Sequence, residues 1–348
     1  MSSKTERDSN IELLRILAAF AVVILHFNNP LYVGGLANSE GIDHEFLIIL
    51  ECISIPAVNV FMMIAGYFGV DRSYIRWSKL IGLEIKVIVI YVVTYIITAY
   101  LDGNFTVREL LMSAVPNNYF ITLYIVVIVF SPFINNMLNS LDQSMNDRLV
   151  VLMTAVFSVY STGLDIVEHI LGVQAGGLNA VGLYGAGRGY TIVHFLVCYI
   201  IGAWLKRNRH CDRIKTGYLI MIWVASVVIL DLLYHTLGGV PFAYYNVFVM
   251  TSAISLIILF GRINIHSRII NSLAPASLTC FLINIPVLER TVPTDIVSGR
   301  HTMELILIII VECVGIYIMA WIFDMIYTKA TGFITVLVRF RDHTKPEK

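Results

Sequence analysis

Apolar segments of about 20 residues, separated by polar connections, recur along the whole chain. A helix needs about 20 predominantly apolar residues to cross the hydrocarbon core of a bilayer. Ten segments meet this requirement, and they predict an all-α integral membrane protein built as a bundle of about ten transmembrane helices. The predicted spans are residues 11–29, 46–69, 80–101, 118–138, 149–169, 189–206, 216–236, 243–261, 269–289 and 304–327.

Lysine and arginine residues are concentrated in alternate connections between the predicted spans. The basic stretches lie at residues 4–7, 72–79, 206–215, 262–268 and 328–348. Positively charged residues favour the cytoplasmic side of a membrane, and ten spans return the chain to the side where it begins. All five stretches and both termini are therefore predicted to be cytoplasmic. The tail 328–348 ends in GFITVLVRFRDHTKPEK, whose apolar face and basic edge predict a short interfacial helix.

The composition agrees with a membrane protein and narrows the function. The chain is 57% hydrophobic and 14% charged, with a mean hydropathy of +0.78, whereas a soluble domain carries about 25% charged residues. A formal net charge of zero provides no basic field for nucleic acid. Five cysteines lack the spacing of metal ligands, so no metal is expected. We predict a single membrane-embedded domain over residues 1–348, in the plasma or inner membrane, with its oligomeric state left open.

The first span carries three ionisable side chains in an otherwise apolar helix. Relative to Glu12, a helix places Arg15 at about −60° and His26 at about −40°, with the small Ala19 between them at about −20°. Because a charge near the bilayer centre costs about 2.5–3.5 kcal/mol, this stripe is predicted to face the bundle interior. In the alternative interpretation the segment is only an anchor, with Glu12 and Arg15 reaching the cytoplasmic surface and His26 capping the outer end.

The order of several motifs resembles the acyltransferase-3 family of integral membrane acyltransferases. In the first span, NIELLR is followed after ten residues by His26, as in that family. Further stretches in the same order are PAVNVFMMIAGYFG (56–69), RWSK (76–79), NYFITLYIVVIVFSPFIN (118–135) and SLTCFLINIPVLER (277–290). Three positions depart from the family pattern: Ala65 replaces Ser, Lys79 replaces the second Arg of R-x-x-R, and Asn284 replaces a His. The Asn284 departure removes a titratable group.

The resemblance implies a bacterial enzyme that O-acetylates exopolysaccharide, lipopolysaccharide or other glycolipid-linked sugars. Such an enzyme takes an acyl group, here expected to be acetyl, from cytoplasmic acyl-CoA as co-substrate. It delivers the group to a carbohydrate or lipid-linked saccharide acceptor at or beyond the outer face. The expected partners are this acceptor and the membrane lipids.

Within this resemblance, the stripe of the first span receives chemical roles. A sugar hydroxyl must lose its proton during acyl transfer, and an imidazole with an ordinary pKa of about 6.5 suits that task. His26 is therefore predicted to be the general base, with a transient acyl-imidazole as a less favoured variant. Arg15 is predicted to bind the donor. Glu12 is assigned to the catalytic set because it orients Arg15 as an i, i+3 pair, although the two could form only a structural ion pair.

Other positions are assigned to the two substrates. Arg76 and Lys79 are predicted to bind the nucleotide phosphates of CoA, against the alternative of ordinary positive-inside anchoring. Asn59, Tyr67 and Tyr124 are predicted to hydrogen-bond the sugar acceptor. Each of these three could instead join helices through hydrogen bonds worth about 0.6 kcal/mol.

Two rival functions remain open at this stage. Asp231 and His235 form an i, i+4 pair near the outer end of the seventh span, and such a pair could move protons. This feature supports a proton-coupled transporter or flippase for a glycolipid or polysaccharide precursor. A polysaccharide polymerase is the second rival, although it usually has a larger outer loop than any here. Arg188 and His194, at the outer end of the sixth span, receive no role.

Overall fold

The structure is a computed structural model that describes residues 8–115, 118–173, 180–183, 187–208, 213–293 and 296–337. All regular secondary structure in these ranges is helical, so the prediction of an all-α protein is confirmed. The α-helices are α1 (Ser9–Asn28), α2 (Gly41–Ser54), α3 (Ala57–Gly69), α4 (Trp77–Asp102), α5 (Val107–Ser113), α6 (Tyr119–Ser140), α7 (Gln143–Thr154), α8 (Ser161–Leu171), α9 (Ile192–Arg207), α10 (Thr216–Leu237), α11 (Val247–Gly261), α12 (Arg268–Leu273), α13 (Ala276–Thr291) and α14 (Thr302–Leu337).

Seven helical segments in the described ranges are long and apolar enough to cross a membrane. They correspond to predicted spans one to five, seven and ten. The other three predicted spans coincide with α9, α11 and α13, which have 16, 15 and 16 residues. A 16-residue helix is only about 24 Å long, shorter than the hydrocarbon core of about 30 Å. The count of about ten transmembrane helices is therefore not confirmed, and the side on which the termini lie stays a prediction.

Three predicted spans are interrupted where local geometry departs from the α-helix, and the ninth divides into α12 and α13 at Ala274 and Pro275. The second consists of α2 and α3, separated at Ile55 and Pro56, because proline lacks the N–H that would continue the hydrogen-bond ladder. The fifth continues from α7 into α8 through a π-helical turn, Ala155–Tyr160. Helix α14 extends to Leu337, beyond the predicted end of the last span. The predicted interfacial tail helix lies largely outside the described residues.

The chain divides into two compact units. Unit 1 comprises the chain through Val22, Ile48–Ser73 and Tyr119–Ile270. Unit 2 comprises Val23–Leu47, Tyr74–Asn118 and the chain from Asn271 onward. The last turns of α1, with His26, therefore belong to unit 2, while Glu12 and Arg15 belong to unit 1.

In unit 1, α3 and α9 pack so closely that their backbones touch at two glycines. A Cβ atom added to Gly66 would lie 2.0 Å from the carbonyl oxygen of Tyr199, and one added to Gly202 would lie 2.0 Å from that of Met63. Only a residue without a side chain fits at either position. Small residues allow this close approach between membrane helices, where packing rather than water exclusion drives association.

In unit 2, α13 packs against both α4 and α14. An ion pair joins α4 and α14. Lys86 Nζ of α4 lies 2.9 Å from both carboxylate oxygens of Asp324 in α14. The hydroxyl of Thr279 in α13 donates to Asp324 Oδ1 at 2.5 Å. Breaking a buried pair costs about 3–5 kcal/mol because one charge is left uncompensated. This network therefore ties α13 to its two neighbours.

Candidate active site

His26 lies in the last turn of α1. The buried apolar residues in the second half of this helix are Ala18, Ala19, Val22, Val23, Leu25 and Phe27, and Asn28 is also buried. His26 itself is half-buried. The edge of its ring meets the ring of Tyr32, with 5.2 Å between the ring centroids. The imidazole is thus fixed by packing while part of it stays accessible.

A hydrogen bond with Asn284 of α13 determines which nitrogen of His26 carries the proton. The Nδ2 of Asn284 donates to the carbonyl oxygens of Cys280 at 3.1 Å and Phe281 at 2.7 Å. The amide is therefore oriented with Oδ1 toward His26 Nδ1, and the two atoms are hydrogen-bonded. An amide oxygen only accepts hydrogen bonds, so His26 Nδ1 must be the donor.

When the imidazole of His26 is neutral, its lone pair therefore lies on Nε2. Within the described ranges, Nε2 has no hydrogen-bond partner. A base oriented by a third group through its other ring nitrogen is the arrangement that general-base histidines use. Asn284 thus places an amide oxygen, which accepts a hydrogen bond from His26, at the position where the family pattern has a titratable histidine. The sequence marked this position as a departure, but gave no partner for it.

Glu12 and Arg15 form the predicted i, i+3 ion pair in unit 1. Arg15 Nη1 donates to Glu12 Oε2 at 2.7 Å. The Glu12 side chain is 7% exposed and that of Arg15 is 28% exposed. The carboxylate therefore holds the guanidinium while leaving part of it open. The predicted role of Glu12 in catalysis and that of Arg15 in donor binding stay predictions.

Arg72 is a further candidate for the site, although its position in the sequence indicates only topology. The charges of Arg72 and Arg15 both act on the hydroxyl of Tyr124, which places the three groups in one neighbourhood of unit 1. Asn135 holds this turn of the chain, because its Nδ2 donates to the carbonyl oxygens of Gly69 and Arg72, each at 2.8 Å. Two guanidiniums beside a phenol can bind an anion such as a phosphate.

Tyr199 stabilises the Asn135 amide that holds the backbone at Arg72. Its hydroxyl donates to Asn135 Oδ1 at 3.1 Å, so both ends of the buried Asn135 amide are used. The only signal in the sequence that could have identified Arg72 is the R-x-x-x-R spacing from 72 to 76. Tyr124, predicted to contact the sugar acceptor, instead lies beside the two arginines; its assignment to the acceptor stays a prediction.

Arg76 and Lys79 belong to unit 2 and are both exposed at the start of α4. Arg76 is the residue before the helix, and its guanidinium lies 5.8 Å from the ring centroid of Tyr74. Their exposure leaves them accessible to a ligand, and it also suits positive-inside anchoring. The predicted path from Arg76 past Arg15 to His26 would join the two units and stays a prediction.

Asn59 and Tyr67 both make internal contacts in unit 1. The amide of Asn59 donates to the carbonyl oxygen of Tyr244 at 2.7 Å, and its Oδ1 lies 2.8 Å from His194 Nε2. The Nζ of Lys206 lies 4.5 Å from the ring centroid of Tyr67. These contacts resemble the helix-joining alternative more than an open sugar site. The predicted acceptor contacts are not tested.

Comparison with known proteins gives a family match. A family model described as an acyltransferase domain matches residues 8–327 of the chain. No curated protein and no solved structure matches. The matched range contains His26, Asn284, Arg15 and Arg72, and it ends where the last predicted span ends.

Proposed function

This chain belongs to the acyltransferase-3 family of membrane acyltransferases, and we propose that it transfers an acetyl group from acetyl-CoA to a saccharide hydroxyl. The acceptor is a cell-surface polysaccharide or a lipid-linked saccharide, and the enzyme acts in the plasma or inner membrane. The observation that carries the proposal is the His26–Asn284 hydrogen bond, because it leaves the Nε2 lone pair available.

In the proposed reaction, His26 carries the proton from the acceptor hydroxyl to the leaving thiolate. The acceptor oxygen attacks the thioester carbonyl carbon while its proton moves to His26 Nε2. The carbon–sulfur bond then breaks, and the imidazolium returns the proton to the departing thiolate of CoA. General acid–base catalysis of this kind contributes about 10²- to 10⁴-fold to a rate.

The donor is proposed to enter beside the guanidiniums of unit 1. CoA carries phosphate groups, and arginine binds phosphate in a bidentate manner. Arg15 and Arg72 can supply these contacts, and the exposed Arg76 and Lys79 of unit 2 are separate candidates for the nucleotide phosphates. No metal is needed for this chemistry.

The proposal is tested with membrane vesicles from cells that express the protein. Vesicles are incubated with acetyl-CoA labelled in the acetyl group, and the glycan fraction is examined for alkali-labile label by mass spectrometry. Transfer that depends on the protein supports the proposal. Label that stays in acetyl-CoA, with the protein present at normal levels and glycan acceptors supplied, overturns it.

The transporter hypothesis keeps one supporting feature. His235 Nε2 lies 3.8 Å from Asp231 Oδ1. This distance exceeds the 2.7–3.2 Å typical of a hydrogen bond, so the pair does not form a ready proton relay. If Asp231→Asn stopped glycan export while His26→Ala did not, the transporter would replace the enzyme.

Replacing Asn284 with alanine is expected to lower kcat by about ten- to a hundredfold, because loss of a buried hydrogen-bond partner costs about 1–3 kcal/mol. KM for acetyl-CoA is expected to stay within about twofold, since the orientation of the base contributes to the transition state rather than to donor binding. Steady-state kinetics on purified protein measure both constants.

Asn284→Asp retains an oxygen acceptor and should restore most of kcat. An Asn284→Ala enzyme with wild-type kcat would contradict the positioning role.

Replacing Arg72 with alanine is expected to raise KM for acetyl-CoA about tenfold, since a hydrogen bond to a charged group is worth about 1.5–3 kcal/mol and this side chain is only partly buried. Titration of acetyl-CoA at saturating acceptor checks the value. Arg268→Ala is the matched control, because Arg268 is an exposed arginine on the same predicted side. Equal KM values for the two variants would remove Arg72 from the donor site.

A further inference from the structure

Three tyrosines of unit 1, Tyr119, Tyr190 and Tyr244, form a chain of edge-to-face rings that we call the tyrosine cluster. The ring centroids are 4.7 Å apart for Tyr119 and Tyr190 and 5.0 Å apart for Tyr190 and Tyr244. Tyr244 is buried, whereas Tyr190 is 48% exposed and Tyr119 is 37% exposed. The cluster therefore presents two accessible aromatic rings on a fixed base.

The tyrosine cluster lies where three predicted outer connections end. Tyr119 is the first residue of α6, and Tyr190 lies two residues before α9. Tyr244 lies three residues before α11. Because all three positions follow connections predicted to be on the outer side, the predicted topology places the cluster on the face where a saccharide acceptor arrives.

A strained turn fixes Arg188 beside the cluster. Arg188 has φ 54°, between Gly187 at 53° and Gly189 at 91°, so three successive residues adopt the left-handed region. The N–H of Tyr244 donates to the carbonyl oxygen of Arg188 at 2.9 Å and secures the turn. A Cβ atom on Gly189 would lie 2.7 Å from Tyr244 Cβ. For a non-glycine residue such as Arg188 this conformation is uncommon, and such residues are concentrated at binding and active sites.

A second irregular element supports the same segment. Ser158, in the π-helical turn, donates to the carbonyl oxygen of Tyr245 at 2.7 Å. The Tyr245 hydroxyl donates to Asp165 Oδ2 at 2.6 Å, and the N–H of Leu183 donates to Asp165 Oδ1. Single π-helical turns occur frequently at functional sites. These hydrogen bonds therefore hold the backbone at Tyr244 and Tyr245 in place.

Local charge indicates what kind of ligand fits. The Arg188 side chain is exposed and makes no hydrogen bond within the described ranges. The Arg188 guanidinium lies within electrostatic range of one buried carboxyl group, that of Asp165. The surface thus offers guanidinium donors together with two exposed aromatic rings. An uncharged ligand with hydroxyl groups suits it better than an anion.

We propose that the tyrosine cluster and Arg188 bind a neutral pyranose ring of the acceptor, an inference that rests on the proposed saccharide acyltransferase activity. The apolar C–H face of the sugar packs on the exposed rings of Tyr190 and Tyr119, as amphipathic aromatic rings allow. The guanidinium of Arg188 donates hydrogen bonds to the sugar hydroxyls. The site supplies specificity for the acceptor and takes no part in proton transfer.

Binding is tested on the full-length protein in lipid nanodiscs by saturation-transfer-difference NMR. The probes are the methyl glycosides of glucose, galactose and N-acetylglucosamine, with methyl glucuronide as the anionic comparison. Tyr190→Ala is expected to weaken binding of the neutral glycoside about three- to tenfold, the effect of losing one aromatic contact. Tyr190→Phe keeps the ring and is expected to bind like the wild type. Arg188→Gln is expected to weaken binding by a similar factor.

Tyr100→Ala is the matched control, because Tyr100 is 84% exposed at the predicted outer end of α4. Equal glycoside binding by Tyr190→Ala and Tyr100→Ala would make the cluster an ordinary aromatic belt and overturn the inference. The inference also fails if no neutral glycoside binds, or if the glucuronide binds more tightly.

The two proposals fail separately. Glycoside binding without any acyl transfer by the wild-type protein would overturn the function alone. Acyl transfer with an unchanged acceptor KM in Tyr190→Ala would overturn the binding site alone.

Discussion

Replacing His26 with glutamine is expected to lower kcat for acyl transfer by about 10²- to 10⁴-fold, the contribution of a general base. A glutamine amide can still donate a hydrogen bond to Asn284 Oδ1, so packing and orientation are retained while the basic nitrogen is lost. The affinity for acetyl-CoA is expected to remain unchanged, because the predicted donor contacts are made by other residues. Labelled acetyl transfer and equilibrium binding of CoA measure the two quantities.

The control for this experiment is His169→Ala, since His169 is an exposed histidine at the end of α8. It should retain wild-type activity. A His26→Gln protein that kept more than about a tenth of the wild-type kcat would show that the base is elsewhere, because even the lower bound for general-base catalysis exceeds tenfold.

Replacing Gly202 with alanine is expected to destabilise the protein by about 3 kcal/mol or more, the upper range for overpacking a core. The new methyl carbon would lie 2.0 Å from the carbonyl oxygen of Met63, and that oxygen is backbone. Neither atom can move without separating α3 from α9. The thermal unfolding midpoint of the purified protein, followed by circular dichroism, should fall, and the amount of protein in membranes should fall with it.

Replacing Gly163, in the same unit, with alanine is not expected to destabilise the protein. Gly163 lies inside α8, and nothing lies within 4 Å of a Cβ atom added there. Alanine in a helix is favoured over glycine by about 0.5–1 kcal/mol, so Gly163→Ala should be neutral or stabilising. If Gly202→Ala unfolded at the same temperature as Gly163→Ala, the backbone contact between α3 and α9 would not hold this unit together.

The positions of the helices could be predicted because apolar runs are local properties of a sequence. Each predicted span coincides with helix. Helix length was predicted less well, because the helical stretches that end at Arg207, Gly261 and Thr291 are shorter than a full crossing. The π-helical turn could not be predicted, since it is supported by contacts such as that of Ser158 with a carbonyl 87 residues away.

In the candidate site, too, contacts between residues close in sequence could be predicted, whereas contacts between distant residues could not. The Glu12–Arg15 pair follows from helical spacing alone and was predicted correctly as a contact. The partner of His26 could not be derived, because Asn284 is 258 residues away in the sequence. Arg72 was missed for a related reason: its backbone is held by the amide of Asn135, which is 63 residues away and which nothing in the local pattern indicates.

The short helices α9, α11 and α13 have a consequence for the lipid around them. With 16, 15 and 16 residues, each reaches only about 24 Å. A hydrophobic segment shorter than the bilayer draws the two leaflets together locally. We therefore expect the bilayer to be thinner than about 30 Å beside any part of these helices that faces lipid, because local thinning is one way to match a short hydrophobic segment.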